Sequence, residues 1–129
     1  MSRILIAVDD NEARAREQAK AVINLPDLAG TAEITLLHVF TDNPEGASAS
    51  QVSGVRRAEE VLTDAGFDVS IEEASGNPSE EIIKLAEDLD VDIISVAGRK
   101  RSPAGKALLG SVSQEVLLDA ERPVLFVTK

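Results

Sequence analysis

The chain contains no cysteine, so disulfides and thiolate metal sites are excluded. It has one histidine, His38, which rules out histidine pairs, His-based metal clusters and any triad needing a second imidazole. Tryptophan and tyrosine are absent, and Phe40, Phe67 and Phe126 are the only aromatic residues. No apolar run approaches the roughly 18 residues of a membrane-spanning helix. Met1-Ser2-Arg3-Ile4-Leu5 leads straight into a short apolar run with no preceding leader, so the expectation is a cytoplasmic protein. Basic residues are few: 13 against 23 acidic ones, a formal charge of −10 that argues against nucleic-acid or anionic-membrane binding. Lysine, at five, is scarcer than arginine, at eight. Acidic, lysine-poor and rich in small residues, the composition suits a high-salt cytoplasm, where screening weakens self-repulsion. A halophilic source, such as a halophilic archaeon, is the expectation.

Against that background one segment stands out. Between Ile93 and Gln114 there is no acidic residue, yet Arg99, Lys100, Arg101 and Lys106 fall there, interleaved with Gly98, Gly105 and Gly110. Glycines let backbone amides approach an anion closely, hydroxyls such as Ser111 and Ser113 donate, and a helix starting nearby directs its positive end inward. A solvated loop serving solubility is the competing reading of the same residues.

The 129 residues suffice for one domain, 1–129, with a buried core. Five runs rich in Val and Ile read as strands: Arg3–Val8, Glu33–Phe40, Phe67–Glu72, Asp92–Ala97 and Pro123–Thr128. The first and fourth are nearly continuous in apolar residues, as parallel strands covered on both faces are. Between them lie helical patterns over Asn11–Leu25 and Ala47–Ala65, the latter closed by Gly66. A third helix starts at Asn77-Pro78-Ser79-Glu80, with Asn77 as N-cap and Glu80 placed to reach back in a capping box. A fourth is centred on Ser111–Ala120. The alternation predicts an α/β fold, an open five-stranded parallel sheet with helices on both faces. Ligands of such sheets bind at the carboxyl ends of the strands where the strand order reverses. Asp9-Asp10-Asn11 and the basic island both follow such ends, which places them on one rim.

Each candidate on that rim has a plainer reading. Asp9 or Asp10 could hold a ribose hydroxyl or a magnesium ion, or simply cap the first helix. His38 reads as a satisfied core or rim residue. No nucleophile stands beside a base, so any catalysis would be slow hydrolysis. The Pro123–Thr128 run is apolar enough that an exposed edge there would invite pairing.

Ile4-Leu5-Ile6-Ala7-Val8-Asp9, Leu36-Leu37-His38-Val39, Gly76-Asn77-Pro78-Ser79-Glu80-Glu81-Ile82, Gly98…Gly110-Ser111-Val112 and Arg122-Pro123-Val124-Leu125-Phe126-Val127 together resemble the universal stress protein family, in the family's order along the whole chain. The resemblance implies strand order 3-2-1-4-5, a Rossmann-like sheet, a regulatory role in the stress response, and ATP or AMP as ligand, with magnesium carried by the nucleotide and touching Asp9. It also implies that Ala7, Val8 and Asp9 border the ligand, with Asp9 on the ribose or adenine and the Val39 backbone on the adenine. The segment Gly98, Arg99, Lys100, Arg101, Gly110, Ser111, Val112 and Ser113 would face the phosphates. The family's phosphate motif is Gly, two residues, Gly, nine residues, then Gly-Ser or Gly-Thr. Here Arg101 occupies the second glycine's place, and Gly98 to Gly110 is one residue shorter. Arg101 either fills the phosphate space or offers its guanidinium fork to phosphate oxygens. The family habit further implies a homodimer through Val124, Leu125, Phe126 and Val127, for which proline at Leu125 is the natural disruption. The alternative from a different class is an interaction module that holds no nucleotide and whose basic loop docks an acidic protein partner.

Overall fold

The computed structural model describes residues 2–25, 32–41, 46, 48–98 and 110–128. The chain runs β1 (Arg3–Ala7), α1 (Glu12–Ile23), β2 (Glu33–Phe40), a 3-10 turn (Ala49–Gln51), α2 (Ser53–Asp64), β3 (Asp68–Ser75), α3 (Pro78–Leu89), β4 (Ile93–Gly98), α4 (Ser111–Asp119) and β5 (Val124–Thr128). The five strands form one parallel sheet in the order β3-β2-β1-β4-β5. The expected architecture and strand order are therefore those observed.

Alternation along β1 explains why the run from Ile4 to Val8 is apolar throughout. Ile4, Ile6 and Val8 pack with Ala15, Ala19 and Val22 of α1 and with Val55, Ala58 and Leu62 of α2. Leu5 turns to the other face, where Leu37, Ile94 and Val96 meet Ile82 and Ala86 of α3 and Val116 of α4. Covered on both faces, Ile4, Leu5 and Ile6 all lose their water, which stabilises the fold by about 25 cal/mol per Å² of apolar area. Among the described residues no helix is long and apolar enough to cross a membrane.

Three local readings need correction. The single helix expected over Ala47–Ala65 is a 3-10 turn and α2, separated by an extended Val52. Gln51 Oε1 accepts from the Ser48 amide (2.8 Å) and Glu73 Oε1 from the Ala49 amide (3.1 Å), so local side-chain bonds hold the turn apart from α2. β3 continues past Glu72 to Ser75 because β2 supplies partners as far as Phe40. Asn77 does cap α3, its Oδ1 accepting from the Glu80 amide (3.3 Å), but the second bond to that oxygen comes from the Ser79 hydroxyl (2.9 Å). Glu80 itself is exposed.

Candidate functional site

Where β1 leaves β4, the sheet opens. The β1–β4 register ends at Ile6 and Ser95, whereas β1 stays paired with β2 through Ala7 and Leu37. Beyond that point the Val8 amide donates to the Leu37 carbonyl (2.8 Å), and Val8 O accepts from His38 Nδ1 (2.7 Å). A carbonyl can only accept, so Nδ1 carries the proton there. His38 also meets the Phe40 ring edge-on at 4.6 Å, which makes it the satisfied rim residue expected.

The split shapes a cavity of about 220 Å³ at the carboxyl ends of β1, β2 and β4. Its apolar walls are Leu37 and Val39 of β2, Val96 and Ala97 of β4, Ile82 of α3 and Val112 of α4; Pro78 closes one side. Of the residues expected at a site, Ala7, Val8, Asp9, Val39, Val112 and Ser113 line it. Gly98 ends β4, while Gly110 and Ser111 open α4, so all three lie beside these residues without lining the cavity themselves. Arg99, Lys100, Arg101, Gly105 and Lys106 lie outside the described residues, and with them the two readings of Arg101.

Asp9 stands on the cavity rim and is held there by its neighbours in the β1–α1 turn. Oδ1 accepts from the Asn11 amide (2.8 Å), and Oδ2 accepts from Arg14 Nε and Nη2 (2.9 Å each). The N-cap of α1 is Asn11, whose Oδ1 takes the Arg14 amide (2.9 Å). The Asp9–Arg14 pair is partly open to water and worth at most about 1 kcal/mol to the fold. What it fixes is the direction of a carboxylate on the cavity rim. Asp10 is exposed and contributes its carbonyl, which accepts from the Ser53 hydroxyl (3.1 Å). Among the described residues no three His, Cys, Asp or Glu side chains converge on a metal position. Magnesium at Asp9 would therefore have to arrive with a ligand's own oxygens.

The opposite rim is the start of α4. Gly110 is its N-cap, with φ −67° and ψ 163°, and the first bond inside the helix is Gln114 N to Gly110 O (2.9 Å). The amides of Ser111, Val112 and Ser113 precede that bond and have no intrahelical acceptor, the arrangement that attracts an anion. The Ser113 hydroxyl, expected among the phosphate donors, is instead buried and donates to Ala97 O (3.0 Å), tying α4 to β4. Its amide keeps the expected position.

Spacing arguments missed Gln18, Leu37, His38, Pro78, Ile82, Val96 and Ala97. All but Gln18 belong to runs that read simply as core or helix start. Gln18 carried a signal: it shares the 15/18/19/22 face of α1 with Ala15, Ala19 and Val22 and is the only polar member of that stripe.

The family model described as Universal stress protein family matches residues 1–128. The chain belongs to that family. A universal stress protein of Mycolicibacterium smegmatis is 32% identical over 117 residues, covering 90% of this chain and 80% of that one. One of Methanocaldococcus jannaschii is 41% identical over 68 residues, 53% of this chain and 42% of the relative, so the match spans less than half of that relative's length. Among solved structures, a universal stress protein of Archaeoglobus fulgidus superposes with a TM-score of 0.78 at 24% identity, covering 98% of each chain. A universal stress protein in complex with cAMP gives 0.74 at 22% identity over 98% of this chain and 96% of that one. An Archaeoglobus fulgidus universal stress protein in complex with dAMP gives 0.72 at 18% over 98% and 97%. At these identities the superpositions establish the shared fold.

Proposed function

We propose that this universal stress protein binds an adenine nucleotide, ATP with magnesium in the first place, in the cavity at the β1–β4 split, and acts as a regulatory module of the stress response. One observation carries the reading. A carboxylate (Asp9), an apolar slot (Leu37, Val39, Ile82, Val96) and three helix-start amides (Ser111 to Ser113) share one rim. An apolar slot suits a flat base, a fixed carboxylate accepts from ribose hydroxyls, and free amides at a helix start favour phosphate oxygens. The nucleotides bound by the two solved relatives, cAMP and dAMP, support the ligand class. The site is assigned to binding, with hydrolysis at most slow, in a cytoplasm whose high salt the composition suits. Mass spectrometry of small molecules released by denaturing the purified protein should find an adenine nucleotide. Release of a ligand lacking a purine would overturn the reading.

Assembly is part of the proposal: two copies pair antiparallel along β5, an edge strand whose Val124, Leu125, Phe126 and Val127 remain only half-buried in the single chain. The geometry changes which substitution tests it. Ile94 N donates to Pro123 O (3.0 Å), so the slanted parallel ladder assigns the Leu125 and Val127 amides to β4 and leaves the Val124 and Phe126 amides outward. Proline at Leu125 would break the sheet itself. Val124→Pro removes an outward amide at the first position of the strand, where proline is tolerated. Light scattering should show dimer for the parent and monomer for a folded Val124→Pro. A monomeric parent at micromolar concentration would contradict the pairing.

A further inference from the structure

Gln18 sits on the apolar face of α1, 1% exposed, and reaches the sheet where β1 and β4 part. Its Nε2 donates to Ala7 O (3.0 Å) and lies 3.4 Å from Ser95 Oγ, itself fully buried. The carboxamide thus fills the position that the ladder vacates beyond Ile6. Because Ala7 O can only accept, the amide's orientation is set: Nε2 faces the strand, and Oε1 is left as an acceptor. Among the described residues no donor is bonded to Oε1. The side chain nevertheless lines the cavity, which the rest of α1 does not enter. Packing does not account for a glutamine here, since a buried amide costs free energy unless its polar atoms find partners. Leucine would complete the Ala15, Ala19, Val22 stripe without that cost.

We infer that Gln18 is a specificity-determining residue: its Oε1 accepts a hydrogen bond from an N–H or O–H group of the bound nucleotide. The inference rests on the nucleotide reading above. The donor is either the exocyclic amine of the base or a ribose hydroxyl, both carried by ATP. The Asp9 carboxylate on the same rim, although held by Asn11 and Arg14, keeps lone pairs to accept with, so the two residues together select a ligand rich in donors.

Calorimetry with ATP, 2′-deoxy-ATP, 3′-deoxy-ATP and ITP separates the sources, since each analogue lacks one donor. The parent should bind one analogue about tenfold more weakly than ATP. Gln18→Met, of similar volume but without the acceptor, should bind ATP about tenfold more weakly and no longer distinguish ATP from that analogue. A purely structural role for Gln18 would weaken all four ligands alike and leave their ratios unchanged, which overturns the inference. Equal binding of all four by the parent overturns it too. A parent that binds none removes the nucleotide reading itself, whereas unchanged ratios remove only the role of Gln18. Should Gln18→Met fail to fold, Gln18→Asn, which withdraws the carboxamide by one methylene, reads the same ratios.

Discussion

Gly54→Ala is expected to destabilise the protein by about 3 kcal/mol, at the upper end of what overpacking a core costs. A Cβ at residue 54 would stand 2.1 Å from the Asp9 carbonyl oxygen and within 3.3 Å of Asp10, both backbone atoms with no flexible end to move aside. Gly54 is the second residue of α2 and buried, and the β1–α1 turn rests on it. The better helix propensity of alanine, about 1 kcal/mol, offsets only part of the clash. The consequence reaches the site, because pushing α2 outward or the turn inward displaces Asp9. Urea unfolding measures the effect; a change below about 0.5 kcal/mol, the range of an ordinary surface substitution, would contradict the account.

Gly110→Val should do the reverse, leaving the fold intact and removing the ligand. Among the described residues no atom lies within 4 Å of a Cβ built at Gly110, and φ −67° suits any residue. Valine is a poorer N-cap than glycine, so stability is expected to fall by only about 1 kcal/mol, with the fold retained. A branched side chain at the N-cap would instead stand in front of the Ser111 and Val112 amides. Hydrogen bonds to charged groups contribute about 1.5–3 kcal/mol each, so losing one or two weakens nucleotide binding by roughly tenfold to several hundredfold or more. Unfolding curves and calorimetry on the same variant check both halves. Unchanged affinity would mean that phosphates do not meet the start of α4.

The fold was largely legible because each level of the sequence agrees. Continuous apolar runs mark the doubly covered β1 and β4, and Asn77-Pro78 and Gly66 punctuate the helices where the structure has them. The errors fall where tertiary contacts override local pattern. Nothing in the Ala47–Ala65 periodicity announces that Glu73, on another strand, holds the Ala49 amide and helps split the segment. Likewise β3 outlasts its own apolar pattern because its neighbour is long.

Of the residues that line the candidate cavity, those at strand ends and a helix start, such as Asp9, Val39 and Val112, were legible in the sequence. The remaining walls were not, since Leu37, Ile82 and Val96 look like any core residue until the β1–β4 split is seen. Ser113 shows the converse. A hydroxyl beside a phosphate motif reads as a donor to ligand, and only the geometry reveals that Ala97 O already holds it.

The central claim is that the rim joining Asp9, the apolar slot and the start of α4 holds a nucleotide. Titration calorimetry of the purified, ligand-free protein with ATP and magnesium, in high salt, tests it most directly. The account predicts saturable binding of one nucleotide per chain. No heat at millimolar ATP from a protein shown to be folded would contradict it and leave the interaction module as the better reading.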